Sequence, residues 1–147
     1  MALKVQRGNA ARDSSEFGQW LVGDFDSWAT KSGATIDVET TGLRNSADVE
    51  MKWAFHPKGE RRGRGWAPTT GKQAISFLLR GTFGVRFRDP RNTAIRQDVV
   101  LRELGDYVMW IEDVEHTWHA LEDSLVLTVR WKPGSAASHP EADRILR

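Results

Sequence analysis

The stretch GDYVMWIEDVEHTWHALEDSLVLTVRW, from Gly105 to Trp131, decides how this chain folds. It predicts a strand, a tight turn that carries His116, and a second long strand, because apolar runs bounded by turn residues are typical of strands. Upstream, Val49–His56 alternates apolar and polar residues with the period of a half-buried strand. Further strands are predicted over residues 17–25, 73–81 and 82–88, and a return strand begins at Val99.

Turn residues separate the predicted strands. The sequence DPRN at residues 89–92 predicts a turn, since proline fixes φ and Asp and Asn side chains bond to nearby backbone. We expect residues 26–47 to form a loop with one short strand at 34–38, and the basic segment 58–64 to form a glycine-punctuated loop. Many short strands joined by such turns indicate a sandwich or a barrel. The sequence therefore predicts an all-β fold.

Three segments are expected along the chain. Residues 1–15 are polar and lack a sustained period, which predicts a flexible N-terminal arm. Residues 16–132 are predicted to form a single β-barrel domain, the usual unit for a chain of 147 residues. Residues 133–147 are predicted to be a C-terminal tail, because their prolines remove backbone donors that a central strand needs.

Composition excludes several classes of protein. The chain has 21 basic and 20 acidic residues, so its charge gives no reason to expect nucleic acid or an anionic membrane as a partner. It has no cysteine, which excludes disulfides and thiolate metal ligands. There is no apolar run of about 20 residues and no apolar segment typical of a secretory signal. We therefore expect a cytoplasmic protein.

The order of Gly105, Asp106 and His116 resembles the second conserved motif of the cupin superfamily, which are small jelly-roll barrels. In that motif a glycine and an acidic residue open a strand, and a histidine beyond the turn points into the barrel. The resemblance covers about residues 49–131 and is closest to small single-domain bacterial cupins, some of them misnamed signal peptidase. It implies a cupin-type jelly-roll β-barrel with short peripheral helices or arms, and a homodimer. It does not imply signal peptidase activity, which needs a membrane anchor and a serine–lysine pair.

The same resemblance implies that the usual metal site is degenerate. Metal-binding cupins take two histidines and a glutamate from a first motif, which would lie within residues 59–81 here. The two histidine positions fall near Trp66 and Pro68, and the glutamate position falls at Gln73 or Ala74. None of these residues is a usual metal ligand, so we predict no cofactor.

A rearranged metal site is the alternative. His116 remains from the family's ligand set, and His56 and Glu60 would join it if the polar face of the strand Val49–His56 looks into the barrel. Imidazole and carboxylate ligands suit Fe, Mn, Ni or Zn.

Further residues are candidates for binding a small organic ligand. Lys52 and Arg86 would anchor an anion, or else lie on a solvated face. Gln73 keeps the shape of the family's glutamate and would form hydrogen bonds. Aromatic side chains would form the walls of the pocket, although packing in the core is the other interpretation. The full set of predicted ligand-binding residues is Lys52, His56, Trp66, Gln73, Arg86, Trp110 and Trp118.

His116 carries the predicted chemistry. Imidazole titrates near neutrality, so His116 is the candidate general acid and base. The acidic run Glu112, Asp113 and Glu115 precedes it. These residues either form an acidic rim that would raise the pKa of His116 through opposite charge, or an exposed turn with no role in the site.

Three hypotheses on function follow from these residues. The first is a small-molecule-binding cupin that acts as a metal-independent isomerase, epimerase, cyclase or lyase through His116. The second is a non-catalytic ligand-binding or accessory cupin in biosynthesis. The third is a metal-dependent cupin enzyme with a rearranged histidine site. The fold alone does not choose among them, because one fold hosts many functions.

Overall fold

The computed structural model describes residues 4–32 and 38–134. It contains two short helices, α1 (Ala10–Ser15) and α2 (Phe25–Ser32), and a 3-10 segment over Val38–Arg44. The strands are β1 (Trp20–Val22), β2 (Val49–His56), β3 (Gln73–Arg80), β4 (Phe83–Asp89), β5 (Asn92–Leu101), β6 (Tyr107–Trp110), β7 (Glu115–Ala120) and β8 (Ser124–Trp131). Antiparallel strands are the main regular secondary structure of the described residues and the helices are short, which confirms the all-β prediction. None of the helices in these residues is long and apolar enough to cross a membrane.

The strands form two antiparallel sheets. The larger sheet has the order β1-β2-β8-β3-β6 and the smaller one the order β5-β4-β7. Strand β8 pairs along its length with β2, from Val49↔Trp131 to His56↔Ser124, and on its other side with β3. Four of the six neighbouring pairs, namely β2–β8, β8–β3, β3–β6 and β4–β7, join strands that are not consecutive in the sequence, as in a jelly roll.

The loop between β2 and β3 extends the smaller sheet. Its backbone pairs with β7 at Arg61↔His119 and Ala67↔His116. The amide of Ala67 donates to the carbonyl of His116 at 2.8 Å, and the amide of His116 donates back at 2.9 Å. The loop thus takes the place of a fourth strand, so that the layers loop-β7-β4-β5 and β2-β8-β3-β6 face each other.

The two layers enclose an apolar core. Side chains from both sheets meet in it because alternate residues of each strand point to the same face. The core is formed by Ala74, Leu78, Phe83, Val85, Phe87, Leu101, Trp110, Ala120 and Val126.

Strand β2 departs from the usual pattern, because its polar face is the one that points inward. Glu50, Ala54 and His56 are buried, while Phe55 on the opposite face is 41% exposed. The alternation of this strand was predicted, and the structure shows which face looks into the barrel. A polar inner face in a barrel indicates a functional cavity rather than a core.

The decisive stretch Gly105–Trp131 contains three strands and not the two that were predicted. Strands β6 and β7 belong to different sheets, so residues 111–114 form a corner between the layers. Asp113 adopts a positive φ of 72° at this corner. His116 consequently lies on β7 itself, beyond the turn.

The N-terminal region also differs from the prediction. Within the expected arm, Ala10–Ser15 form α1, whose residue Ser14 is buried. The expected strand at 17–25 is reduced to β1, because Phe25 begins α2. The strand expected at 34–38 and most of the C-terminal tail fall outside the described residues.

Candidate functional site

A cavity of about 280 Å³ lies between the two layers. Its lining comes from β2, β3, β4, β6, β7 and β8, from the loop between β2 and β3, and from Trp20 of β1. His116 on β7 and the polar face of β2 both reach it.

Three cationic side chains line the cavity. They are Lys52 on β2, Arg62 on the loop and Arg130 on β8, and no carboxylate from residues 4–32 or 38–134 belongs to the lining. The sequence as a whole is close to neutral, so the folded chain concentrates positive charge at this place.

The three cations differ in their surroundings. Arg130 Nη2 forms an ion pair with Glu50 Oε2 at 2.7 Å, and Glu50 also contacts Lys72. The Nε atom of Arg130 is buried without a hydrogen-bond partner among the described residues. Lys52 has no ion pair among those residues, and its Nζ lies 5.6 Å from the ring centre of Trp20.

The neighbouring cations also make it less favourable for Lys52 to carry its positive charge. Burial lowers the pKa of Lys52, and the charges of Arg130 and Arg62 lower it further, while Glu60 acts in the opposite direction. Positive charges in a partly desolvated space repel strongly. The cavity is therefore electrostatically suited to a negatively charged group.

A chain of buried polar contacts orients the imidazole of His116. Trp110 Nε1 donates to Thr69 Oγ1 at 2.8 Å, and Thr69 Oγ1 lies 3.5 Å from His116 Nδ1. Because indole can only donate, the hydroxyl hydrogen of Thr69 is free to point at Nδ1. Thr69 is 2% exposed, so its hydroxyl needs such a partner. Since a hydroxyl oxygen has two lone pairs, Thr69 can equally accept from both Trp110 Nε1 and a protonated Nδ1, so the contact orients the ring in either tautomer of neutral His116.

His116 is neutral at pH 7, contrary to the expected raised pKa. Burial lowers the pKa of His116 to about 4, and the charges of Arg62, Arg130 and Lys52 contribute in the same direction. The expected acidic rim does not form around the ring. Arg88 Nε binds Glu115 Oε2 at 2.5 Å, and Glu112 and Asp113 are exposed at the corner.

An aromatic cluster forms another wall. The ring of His56 lies 4.2 Å from that of Trp118 and 5.1 Å from that of Phe83, measured between centres. His56 Nδ1 contacts Glu60 Oε1 at 3.2 Å, and His56 is 6% exposed. Burial lowers the pKa of His56, while Glu60 opposes this effect. His56 is thus an interior residue, although its place before a proline favours a surface position.

Five predicted site residues share the lining of this cavity: Lys52, His56, Trp110, His116 and Trp118. They come from three strands, and the alternation along each strand brings them to the same side.

Three predicted ligand-binding residues lie elsewhere. Gln73 is on the outer face of β3, because Ala74 and Ser76 take the inner positions. Arg86 lies on the outer face of β4 and forms an ion pair with Asp98 at 3.3 Å. Trp66 lies under the guanidinium of Arg88, with 4.5 Å between the ring centre and Cζ. We therefore correct the prediction for these three residues.

The arrangement does not fit a divalent cation. No three His, Asp or Glu side chains come together as a metal site in residues 4–32 and 38–134. His56 and Glu60 contact each other, and the cations Lys52 and Arg62 would repel a metal ion in the cavity.

Sequence reasoning missed important members of the site. Arg130 was detectable, since the alternation of β8 puts Ser124, Val126 and Arg130 on one face. Arg62 was recognised only as part of the basic loop 58–64 and not as a residue of the site. Thr69 carries no pattern of its own, because it lies in an irregular segment, and only the fold brings it to His116.

Comparisons with known proteins found similar folds and no close relative. No family model matches the sequence, and no curated protein matches it. A conserved protein of unknown function from Streptococcus pyogenes superposes with a TM-score of 0.49 at 19% identity, over 62% of this chain and 70% of that one. KdgF from Halomonas sp. gives 0.49 at 18% identity, over 63% and 77%. The Cnp3 cupin domain of Schizosaccharomyces pombe gives 0.48 at 8% identity, over 58% and 57%.

The class of protein is defined by the chain's own topology. Two facing antiparallel layers, with β8 between β2 and β3 and with β4 between β5 and β7, form a jelly roll. Its enclosed cavity receives a histidine from β7. The chain has a jelly-roll fold, which is the fold that its resemblance to the second cupin motif implies.

Proposed function

We propose that this protein binds a small organic molecule in the cavity beside His116. The observation that carries the proposal is the polar interior of the barrel, where Lys52, His56 and His116 occupy inward positions. Burying such groups costs free energy unless a partner compensates them. His56 and His116 have Glu60 and Thr69 as partners, whereas Lys52 has no ion pair among the described residues, and a bound ligand would supply one.

The shape of the cavity supports the same proposal. Its volume of about 280 Å³ lies just below the range of common ligand pockets, so it suits a metabolite of modest size. Aromatic rings and a few convergent polar groups line it, which is the ordinary composition of a small-molecule site.

A substitution that fills the cavity with a larger side chain tests whether the ligand binds inside the barrel. Ala54 is 2% exposed and lines the cavity, whereas Ala94 is exposed on β5. We expect a library of neutral, anionic and cationic metabolites to contain ligands that shift the amide resonances of cavity residues in NMR spectra. Ala54→Leu should weaken their binding, and the matched variant Ala94→Leu should not. Ligands that bind both variants equally would contradict the proposal, and so would a library without effect on the cavity.

A second candidate function is acid–base catalysis by His116. The contacts from Trp110 through Thr69 to His116 favour it, because they hold a cavity-facing imidazole in one orientation. A neutral imidazole accepts a proton from a carbon acid more readily when the substrate carries a negative charge that stabilises the imidazolium.

Catalysis and simple binding are separated by hydrogen exchange. If His116 abstracts a proton, a bound ligand in D2O should lose a carbon-bound hydrogen signal faster with the protein than without it. His116→Gln should abolish this acceleration and leave binding measurable. Ligands that bind without exchange would favour the non-catalytic accessory function.

A further inference from the structure

The charged side chains that line the cavity are cations. Lys52, Arg62 and Arg130 come from three different segments of the chain and converge on it. The acidic groups nearby lie behind this surface, since Glu50 contacts Arg130 and Glu60 contacts His56. The convergence of cations from distant segments is therefore a property of the fold and not of a local charge run.

We propose that the ligand of this cavity is a small organic carboxylate held by Lys52, Arg62 and Arg130. This inference rests on the proposed binding function and names the chemical class of the ligand. The apolar part of the molecule lies against the wall formed by Phe83, Trp110 and Trp118.

The individual groups fit a carboxylate. A guanidinium matches the planar geometry of a carboxylate and binds it with two parallel hydrogen bonds. Arg62 uses Nη1 for the carbonyl of Gly65 at 3.2 Å, which leaves its other donors for a ligand. Lys52 is half-buried and has no carboxylate partner among the described ion pairs. An anion beside it would compensate its desolvation.

The ligand would also change the state of His116. The charged groups that act on this imidazole are Lys52 from β2, Arg62 from the loop and Arg130 from β8. All three oppose its protonation, and a carboxylate among them would cancel part of this repulsion. Binding should therefore raise the pKa of His116 above its value in the ligand-free protein.

Matched acids and amides test the proposed ligand class. The probes are benzoate and benzamide, phenylacetate and phenylacetamide, and hexanoate and hexanamide, titrated at neutral pH and low ionic strength by calorimetry and NMR. We expect at least one acid to bind in the cavity about ten-fold or more tightly than its amide, since charge-assisted hydrogen bonds favour the anion. The ring resonances of His116 should report a raised pKa in that complex.

Charge-matched variants separate the site from the general field of the protein. Lys52→Met and Arg62→Gln should weaken binding of the acid about ten-fold or more. Lys58→Met and Arg64→Gln remove the same charge from exposed positions of the loop and should bind like the original protein. If the control variants lose as much affinity as the cavity variants, the proposed contacts are wrong.

The remaining outcomes distinguish this inference from the function on which it rests. If amides bind in the cavity as tightly as the acids, the carboxylate is wrong and the binding function stands. If neither these probes nor the metabolite library reaches the cavity, both proposals fail.

Discussion

At the scale of single residues, His116 shows how environment decides chemistry. Its family position predicts a ring that faces the barrel, and the structure places it there. The sequence cannot show the sign of its pKa shift, because Arg62 and Arg130 lie 54 and 14 residues away along the chain. The nearby carboxylates of 112–115 are close in sequence and yet directed elsewhere.

The stability of the protein should fall in mild acid because of this residue. The pKa of His116 is about 4 when folded, against 6.5 for a free imidazole, so the unfolded chain binds more protons between these values. The contribution of His116 to the free energy of unfolding is complete above pH 6.5 and is lost as the pH drops toward 4. The loss amounts to about 3 kcal/mol in total. Urea denaturation of His116→Gln across this range should show a flatter pH dependence. A slope equal to that of the original protein would contradict the assignment.

The hydroxyl of Thr69 should contribute to the free energy of unfolding through its buried hydrogen bond with Trp110. Thr69→Val keeps the shape but leaves Trp110 Nε1 without its acceptor in a buried place. We expect the free energy of unfolding to fall by about 1–3 kcal/mol in denaturant titrations. Thr70→Val is the matched control, because Thr70 is exposed and should change stability little. Equal effects of the two substitutions would show that the hydrogen bond is not the cause.

At the scale of elements, periodicity predicts the strands better than their orientation. The bounds of β2 match the predicted strand Val49–His56. Its inward face was not predictable, because an apolar face normally turns to the core and here Glu50 and Lys52 turn there instead. Gln73 illustrates the same limit. Its family position predicts a side chain in the pocket, but Gln73 lies on the outer face of β3, because a family position within a strand does not fix the face on which a side chain lies.

The turn between β3 and β4 should be intolerant of any side chain. Gly81 has a φ of +94°, and a Cβ atom there would lie 2.2 Å from the carbonyl oxygen of Asp123. Gly81→Ala should therefore lower the free energy of unfolding by about 2 kcal/mol or more, from backbone strain together with the clash. Gly63→Ala serves as the control, because nothing lies within 4 Å of its added Cβ and its φ is not positive. Thermal unfolding of the two variants measures the difference.

At the scale of the whole molecule, the five-stranded sheet is apolar on its outer face as well. Tyr107 and Met109 on β6 are 60% and 50% exposed, and they pair with Phe77 and Ile75 of β3. The homodimer expected from the sequence remains a prediction, and this face is where we would look for it.

Light scattering of the purified protein tests the dimer. We expect twice the mass of one chain, and a monomer for Met109→Lys, because a charge at the centre of an apolar contact opposes association. Thr93→Lys on exposed β5 is the control and should remain dimeric. A monomeric original protein would remove the prediction.

The loop between β2 and β3 has a protective consequence. Its backbone bonds to Trp118, His116 and Ala120 occupy the hydrogen-bonding groups along the outer side of β7. An uncovered strand edge can form hydrogen bonds with a strand of another chain. Proteolytic cleavage within residues 61–67 should therefore cause the protein to precipitate or form fibrils, even before the core of the barrel unfolds.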